Sequence, residues 1–188
     1  MSRRRPTIAL RRRFFVGCEG ASEHGYGTFL QRLADEFSNP QIHLDLQDLR
    51  GGDPLAIVQA ACQKARERAR NHGVYVGRAV LVDADRLGQT PQRDAQINAS
   101  AVSERLLIVW QRPCHEALLL HHLPGCQTLM PRDRAAASDA LCRHWPEYCK
   151  PMSAIRIRDR IGLAGVQAAA RVEPELSAFL SLLGFPLI

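Results

Sequence analysis

The stretch FFVGCEGASEHGYGTFL, residues 14–30, decides the fold because it predicts a buried strand that leads directly into a helix. Phe14–Cys18 is a short apolar run, and Glu19 follows it immediately. Further on, apolar residues are spaced three and four positions apart, which places them on one face of a helix. They are Tyr26, Phe29, Leu30, Leu33 and Phe37. A strand joined in this way to a helix indicates a parallel sheet with crossover helices.

The rest of the chain continues this alternation of strands and helices. Further strands are predicted over 42–46, 79–82 and 106–110, and the last two are continuous apolar runs of the kind that helices cover on both faces. Asp53-Pro54 predicts a helix start, with an N-cap followed by proline. The predicted helices end before Asn39-Pro40 and at 71–73, and the later ones cover 91–104, 113–123, 132–145, 154–172 and 174–183. We therefore expect an α/β fold with a mostly parallel, Rossmann-like sheet, helices on both faces and a helical C-terminal part from about residue 131.

Composition indicates one globular domain. The chain has 188 residues, of which 46% are hydrophobic, enough to form the core of a single domain over residues 13–188. No apolar run approaches the roughly 20 residues of a membrane-spanning helix, so no membrane is expected. Residues 1–12 are basic and are predicted to form an arm rather than a signal peptide. The six cysteines include no CxxC pair, and we expect a reduced, cytoplasmic protein.

The net charge of +6 comes almost entirely from arginine, since Lys64 and Lys150 are the only lysines. Arginine clusters occur at 3–5, at 11–13 and at alternate positions from 156 to 160. Such clusters contact phosphates and favour encounter with nucleic acid. The residues predicted to contact nucleic acid are Arg11, Arg12, Arg13 and Arg86. An arginine-rich surface without a nucleic-acid partner is the alternative that charge alone leaves open.

Acidic residues follow three of the predicted strands. Glu19 follows the first strand, Asp83 and Asp85 follow the third, and Glu116 comes after the fourth, near the start of a helix. Because the functional crevice of an open α/β sheet lies beyond the carboxyl ends of its strands, these carboxylates are expected to meet there. Crowded carboxylates have raised pKa values unless a cation neutralises them, and their oxygens suit Mg²⁺ or Mn²⁺. The predicted metal ligands are Glu19, Glu23, Asp83 and Asp85.

Each of these acids also has a plainer interpretation. Acids at strand ends can be solvated loop residues or N-caps, and Glu23 and Glu116 can be favourable charges in the first turn of a helix. Lys150 is predicted to stabilise charge that develops on a phosphate, with an ordinary surface lysine as the alternative. The predicted catalytic residues are Glu19, Asp83, Asp85, Glu116 and Lys150.

An ordered set of motifs resembles the RloB-like proteins, which carry a Toprim domain. CEGASEHGY, residues 18–26, is similar to the family's first motif CEG-x-x-TE-x-x-Y, and LVDADR, residues 81–86, is similar to its aspartate motif. RPCHEALLLH, residues 112–121, resembles a later NPCFE-type motif with its leucine-rich helix. Residues 148–150 match a Tyr-x-Lys element. The motifs keep the family's order and cover most of the chain.

The resemblance implies a Toprim fold and a divalent-metal-dependent nuclease that hydrolyses phosphodiester bonds of DNA or RNA. It also implies a role in defence against phage or other foreign nucleic acid, and family members are commonly found beside a partner ATPase. Three positions depart from the family's pattern: Ser22 replaces threonine, Arg112 replaces asparagine and His115 replaces phenylalanine. The third motif is therefore degraded, whereas the first two keep their carboxylates.

The sequence leaves two alternatives to a metal-dependent nuclease open: a zinc site and a non-catalytic binding module. The segment CHEALLLHHLPGC, residues 114–126, brings together cysteines and histidines that are possible zinc ligands, although their spacing matches no familiar zinc finger. The second is a non-catalytic module that binds a nucleotide or a protein partner. Glycines surround the first strand–helix turn, but they form neither GxGxxG nor a P-loop. The sequence does not choose among DNA, RNA and a nucleotide, and it leaves open the oligomeric state and whether the protein acts without a partner.

Overall fold

The computed structural model describes residues 11–37 and 41–187. Four strands in these residues form one sheet: β1 is Arg12–Cys18, β2 is Ile42–Asp48, β3 is Gly77–Asp83 and β4 is Leu106–Gln111. Every pairing is parallel, and the order across the sheet is β2-β1-β3-β4. The helices are α1 (Ala21–Phe37), α2 (Pro54–His72), α3 (Pro91–Ser103), α4 (His115–His121), α5 (Arg134–His144), α6 (Ala154–Arg160), α7 (Leu163–Ala170) and α8 (Pro174–Leu183). The predicted α/β fold, with a parallel Rossmann-like sheet and a helical C-terminal part, is confirmed.

Helices cover both faces of the sheet. On one face, α2 and α3 pack against a core that includes Phe15, Val80 and Val82. On the other face, α1 and the helices of the C-terminal part share a larger core with Phe14 and Val16. Successive residues of β1 therefore alternate between two cores, as the geometry of a strand requires. Because both faces are buried, the central strands are continuous apolar runs, which is why the sequence pattern revealed them.

The predicted start of α2 is confirmed. Asp53 Oδ1 accepts the backbone N–H of Leu55 at 3.0 Å, and Pro54 occupies the first helical position. The helix is followed by Gly73, whose φ of 88° lies in a region that residues with a side chain rarely adopt. The N-cap fixes one end of the β2–α2 loop, residues 49–53. This loop lies at the carboxyl edge of the sheet, the edge where the carboxyl ends of the strands meet.

The prediction of one helix over 154–172 is wrong, because two helices occupy this region. Ile161 has extended backbone angles and is buried, and Gly162 is the N-cap of the next helix. Gly165 in α7 packs so closely against α4 that a Cβ there would lie 2.7 Å from the carbonyl oxygen of His122. The periodicity of apolar residues continues through the break, so the sequence pattern did not show it.

Other predicted boundaries shift by a few residues. Residues 1–10 of the predicted arm over 1–12 lie outside the described residues. Arg12, the last residue of the predicted arm, already belongs to β1. The helix stop predicted at Asn39-Pro40 also lies outside the described residues. α4 is shorter at both ends than predicted. Among the described residues, no helix is both long enough and apolar enough to cross a membrane.

Candidate functional site

The carboxyl ends of β1 and β3 bring Glu19 and Asp83 together. The backbone N–H of Asp83 donates to Glu19 Oε2 at 2.9 Å, and the N–H of Glu19 donates to the carbonyl of Leu81 at 3.3 Å. The two strands are neighbours in the sheet, so this contact follows from the parallel topology. Carboxylates from two separate strands thus meet at the carboxyl edge.

An open cavity of about 430 Å³ lies at this contact, and we call it the carboxylate cavity. Three carboxylates and three cationic side chains line it. They are Glu19, Glu23, Asp83, Arg50, Arg134 and Lys150. A wall with both signs of charge suits a ligand such as a phosphodiester that arrives with a divalent counter-ion.

Asp83 is buried, and both of its carboxylate oxygens have protein partners. Oδ1 accepts the backbone N–H of His115 at 2.8 Å, and Oδ2 lies 2.7 Å from Nη2 of Arg134. Burial and the charges of Glu19 and Glu23 raise the pKa of Asp83 to about 7, although Arg134 opposes the rise. A further cation bound beside Asp83 would oppose this rise and favour the charged carboxylate.

Glu19 and Glu23 share this crowded environment. Burial raises the pKa of each carboxyl group above its ordinary value. Glu23 Oε2 also accepts the backbone N–H of Gly20 at 2.9 Å, which is half of a capping box at the start of α1. Glu23 thus lines the cavity and also caps α1. Its position is compatible both with the predicted role as a metal ligand and with a purely structural role at the helix start.

Arg134 bridges Asp83 and Asp85, a contact that the sequence did not predict. Its Nη2 lies 2.7 Å from Asp83 Oδ2 and 2.8 Å from Asp85 Oδ2. Both aspartates can therefore reach one cation, as expected where β3 gives way to a turn at Ala84. Burial acts to lower the pKa of Arg134, but the hydrogen bond with Asp85 and the charges of both aspartates raise the pKa overall. Arg134 is the first residue of α5, and Asp133 caps that helix, so the origin of its side chain is well fixed.

Glu116 is fully buried and does not line the carboxylate cavity. Its Oε1 accepts the hydroxyl of Tyr148 at 3.0 Å and forms an ion pair with Lys150. Its Oε2 has no hydrogen-bond partner among the described residues. Lys150 therefore connects Glu116 to the cavity, and the two residues act as a unit in which the carboxylate holds the ammonium group.

The donor chemistry of the cavity fits a hard divalent ion, but its present arrangement is not a ready-made metal site. The described part of the chain contains no group of three or more His, Cys, Asp and Glu side chains placed to hold a metal. Arg134 takes the cation position between Asp83 and Asp85. Carboxylate oxygens are the ligands that Mg²⁺ and Mn²⁺ prefer, and burial together with the charges of Glu19 and Glu23 raises the pKa of Asp83. Binding of a divalent ion by both aspartates thus requires the guanidinium to move.

The basic residues predicted to contact nucleic acid lie at two separate places. Arg86 is exposed in the turn after β3, at the carboxyl edge. Arg11–Arg13 lie at the start of β1, roughly 20 Å from Glu19 along the strand. Arg13 forms an ion pair with the buried carboxylate of Asp45 at 3.1 Å. The structure therefore brings Arg86 to the same edge as the carboxylates and leaves the other three at the opposite edge.

The histidines of residues 114–126 do not converge on one point. His121 Nδ1 lies 2.7 Å from Glu173 Oε1, whereas His122 Nε2 lies 2.9 Å from the hydroxyl of Tyr26. His115 packs edge-on against the ring of Tyr26, and burial lowers its pKa to about 3. It is therefore a neutral aromatic ring in the core. These contacts use the histidines for packing and hydrogen bonding, and they do not support the zinc-site alternative.

The sequence pattern predicted the acids of the cavity, but it did not predict that Arg50 and Arg134 lie beside them. The rule that placed Glu19 at the carboxyl edge also places Arg50 there, because the residue follows β2. No local signal marks Arg134, which lies 51 residues from Asp83 in the sequence. Comparison of the chain with protein-family models, with curated proteins and with solved structures finds no match.

Proposed function

We propose that the chain is a divalent-metal-dependent nuclease of the Toprim type that hydrolyses phosphodiester bonds of DNA or RNA. The observation that carries the proposal is the meeting of Glu19 and Asp83 at the ends of neighbouring strands, together with the pKa of about 7 for Asp83. Acids crowded in this way are typical of sites that a divalent cation completes. The ordered motifs that resemble those of RloB-like proteins favour the same function.

Each residue of the site has a role in this proposal. Glu19, Asp83 and Asp85 would hold Mg²⁺ or Mn²⁺, with Glu23 beside them. When bound, such an ion polarises a phosphoryl oxygen and lowers the pKa of a water molecule. Lys150, held by Glu116, faces the cavity and stabilises the negative charge that develops on the phosphate.

The biological setting is proposed from the resemblance alone. It places the nuclease in defence against phage or other foreign nucleic acid, in association with a partner ATPase. The ATPase would supply nucleotide-dependent control, while the carboxylate cavity would carry out the hydrolysis. Co-expression with candidate ATPases, followed by purification on a tag carried by this chain, is the direct test of the association.

A non-catalytic module that binds a nucleotide or a partner is the second candidate function. Arg134 favours it, because the guanidinium already neutralises Asp83 and Asp85 without a metal. If Arg134 stays in place, the cavity presents Arg50 and Lys150 to an anionic ligand but has no catalytic ion. Such a cavity binds phosphate groups without hydrolysing them.

The deciding experiment measures metal binding and cleavage on the same samples. Calorimetric titrations with Mn²⁺ and Mg²⁺ accompany cleavage assays with labelled DNA and RNA, for the wild type and for Asp83→Asn/Asp85→Asn. The amide oxygen can still accept the N–H of His115, and circular dichroism of each variant checks that the fold is kept. A matched control, Asp35→Asn/Glu36→Gln, removes two negative charges from exposed ion pairs on α1.

The nuclease proposal expects the wild type and the control to bind the ion and cleave, and the site variant to do neither. A wild type that binds nucleic acid or nucleotides but neither takes up divalent ions nor cleaves would establish the binding module instead. Cleavage that persists in the site variant would contradict the assignment of Asp83 and Asp85.

A further inference from the structure

Arg50 is a cationic residue of the carboxylate cavity that belongs to none of the motifs quoted above. It lies in the β2–α2 loop, and it is exposed to solvent. It lines the same cavity as Glu19 and Asp83. A third parallel strand, β2, thus delivers a functional group to the carboxyl edge, and this group is basic where the others are acidic.

Arg50 differs from the other two cations of the cavity in its pairing. Arg134 is bound by Asp83 and Asp85, and Lys150 is bound by Glu116. Within residues 11–37 and 41–187, the guanidinium of Arg50 has no ion pair and no hydrogen bond. Its charge is therefore available to an anionic ligand without the loss of an existing contact.

The backbone on both sides of Arg50 is anchored to the end of β1. The N–H of Leu49 donates to the carbonyl of Cys18 at 2.9 Å, and the N–H of Gly51 donates to the carbonyl of Glu19 at 2.6 Å. The N–H of Arg50 itself donates to Asp48 Oδ1 at 2.8 Å. The loop thus holds the backbone of Arg50 in a fixed position relative to Glu19, so no loop-ordering cost is added when the side chain binds a ligand.

Arg50 also has a backbone conformation that an arginine rarely adopts. Its φ is 64°, and the next two residues, Gly51 and Gly52, have φ values of 68° and 127°. Glycine adopts such angles without steric cost, and the chain uses it at two of the three positions. A glycine substitution at Arg50 therefore removes the side chain without straining the backbone.

We propose that Arg50 binds a backbone phosphate of the nucleic-acid strand that enters the carboxylate cavity. The inference rests on the proposed function for the identity of the ligand. Arginine binds a phosphate through two parallel N–H donors, which fixes the position of the strand without reading its sequence. Arg50 then positions the phosphodiester, and the carboxylates and Lys150 act on it.

The test exchanges Arg50 for glycine, which removes the guanidinium and suits the backbone. Arg105 gives a matched control, because it is also exposed and has a φ of 50°, but it precedes β4 at the opposite edge of the sheet. Arg50→Gly and Arg105→Gly therefore remove the same charge from the same kind of backbone position. Binding of labelled DNA and RNA oligonucleotides of mixed sequence is measured by fluorescence anisotropy in EDTA, over a range of salt concentrations.

For Arg50→Gly we expect affinity to fall about five- to tenfold for every oligonucleotide sequence. The slope of log K against log salt should fall by about 0.7–0.9, which corresponds to one lost phosphate contact. Arg105→Gly should change neither quantity, and Arg50→Lys should keep the slope with a smaller loss of affinity. Melting temperatures of both glycine variants, measured alongside, should stay within about 4 °C of the wild type.

Equal effects of Arg50→Gly and Arg105→Gly, or no effect of either, would overturn the proposal. Because the assay contains no divalent ion, it separates this proposal from the nuclease function. If the wild type never cleaves, but the salt slope falls in Arg50→Gly and not in Arg105→Gly, the phosphate contact is supported and the nuclease proposal fails. The chain is then a nucleic-acid-binding module. If the wild type cleaves and Arg50→Gly binds oligonucleotides as tightly as the wild type, the nuclease proposal is supported and the Arg50 contact is not.

Discussion

Arg134 binds Asp83 at 2.7 Å, and of the two side chains only the aspartate is buried; the side chain of Arg134 is 46% exposed. The guanidinium can move into solvent whereas the buried Asp83 cannot, so a cation that takes its place would keep the carboxylate neutralised. This asymmetry makes Arg134 the part of the site that moves when another cation arrives. Arg134 is thus an internal competitor for any divalent ion that binds Asp83 and Asp85.

The first prediction follows from this competition. Arg134→Gln should raise the affinity of the protein for Mn²⁺ about tenfold, equivalent to about 1.4 kcal/mol, because the ion no longer displaces a guanidinium. Calorimetric titration with Mn²⁺ measures the effect. Arg132→Gln is the control, since Arg132 is more exposed and pairs with Asp133 outside the cavity. An affinity that falls would show that Arg134 assists ion binding instead of opposing it.

The second prediction concerns the pH dependence of stability. Asp83 has a folded-state pKa of about 7, and an aspartate in an unfolded chain titrates near 4. Between these values the unfolded state releases a proton that the folded state keeps, so the free energy of unfolding should fall as pH rises from about 4 to 7. The contribution from this one residue is on the order of 2–4 kcal/mol. Asp83→Asn should remove this part of the decrease.

Urea denaturation at several pH values between 4 and 8, in EDTA, measures the decrease for the wild type and Asp83→Asn. A difference between the two proteins that grows with pH supports the raised pKa. Parallel curves would mean that Asp83 titrates as an ordinary aspartate and that the carboxylates are less crowded than their geometry indicates.

Much of the fold could be predicted because its signals are local. Three of the four strands contain short apolar runs, and the start of α2 follows from Asp53 and Pro54. The acids of the site could be placed because parallel strands carry them to the same edge of the sheet. The break at Ile161 was missed because it depends on packing of α7 against α4, which leaves no trace in the hydrophobic period.

The cations of the site were harder to predict for a physical reason. In an arginine-rich chain, neither Arg50 nor Arg134 stands out by residue type, and only the tertiary structure shows which carboxylates are neutralised. Lys150 stood out because lysine is rare in this chain, yet its partner Glu116 was expected to act in the site directly. In the structure Lys150 lines the carboxylate cavity, whereas Glu116 is buried outside the cavity lining and contacts the lysine.

The third prediction concerns this buried glutamate. Lys150→Met should lower the free energy of unfolding by about 1–3 kcal/mol, because Glu116 remains buried without its counter-ion. The value is below that of a fully buried pair, since the side chain of Lys150 is 47% exposed. The double variant Lys150→Met/Glu116→Gln should recover most of the stability but none of the cleavage. Chemical denaturation and a cleavage assay on the three proteins separate the structural role of Lys150 from its catalytic role.

Equal instability of the single and double variants would mean that the lysine stabilises the fold through the packing of its carbon chain. Recovery of cleavage in the double variant would contradict the proposed role of Lys150 in stabilising charge on the phosphate.

The last prediction concerns Arg13, at the edge of the sheet opposite the carboxylate cavity. Arg13 shares the buried carboxylate of Asp45 with Arg68 and with the hydroxyl of Tyr75. Arg13→Met should lower the free energy of unfolding by about 1–2 kcal/mol, since Asp45 loses one charged partner but keeps Arg68, Tyr75 and Gln47. It should leave the salt dependence of oligonucleotide binding unchanged, because the guanidinium is committed to Asp45.

Arg11→Met, at an exposed ion pair with Asp35, should change stability by less than about 0.5 kcal/mol. Chemical denaturation and fluorescence anisotropy on both variants separate a structural role of these arginines from a role in nucleic-acid binding. A salt slope that falls in either variant would contradict the prediction and extend the nucleic-acid interface to the start of β1.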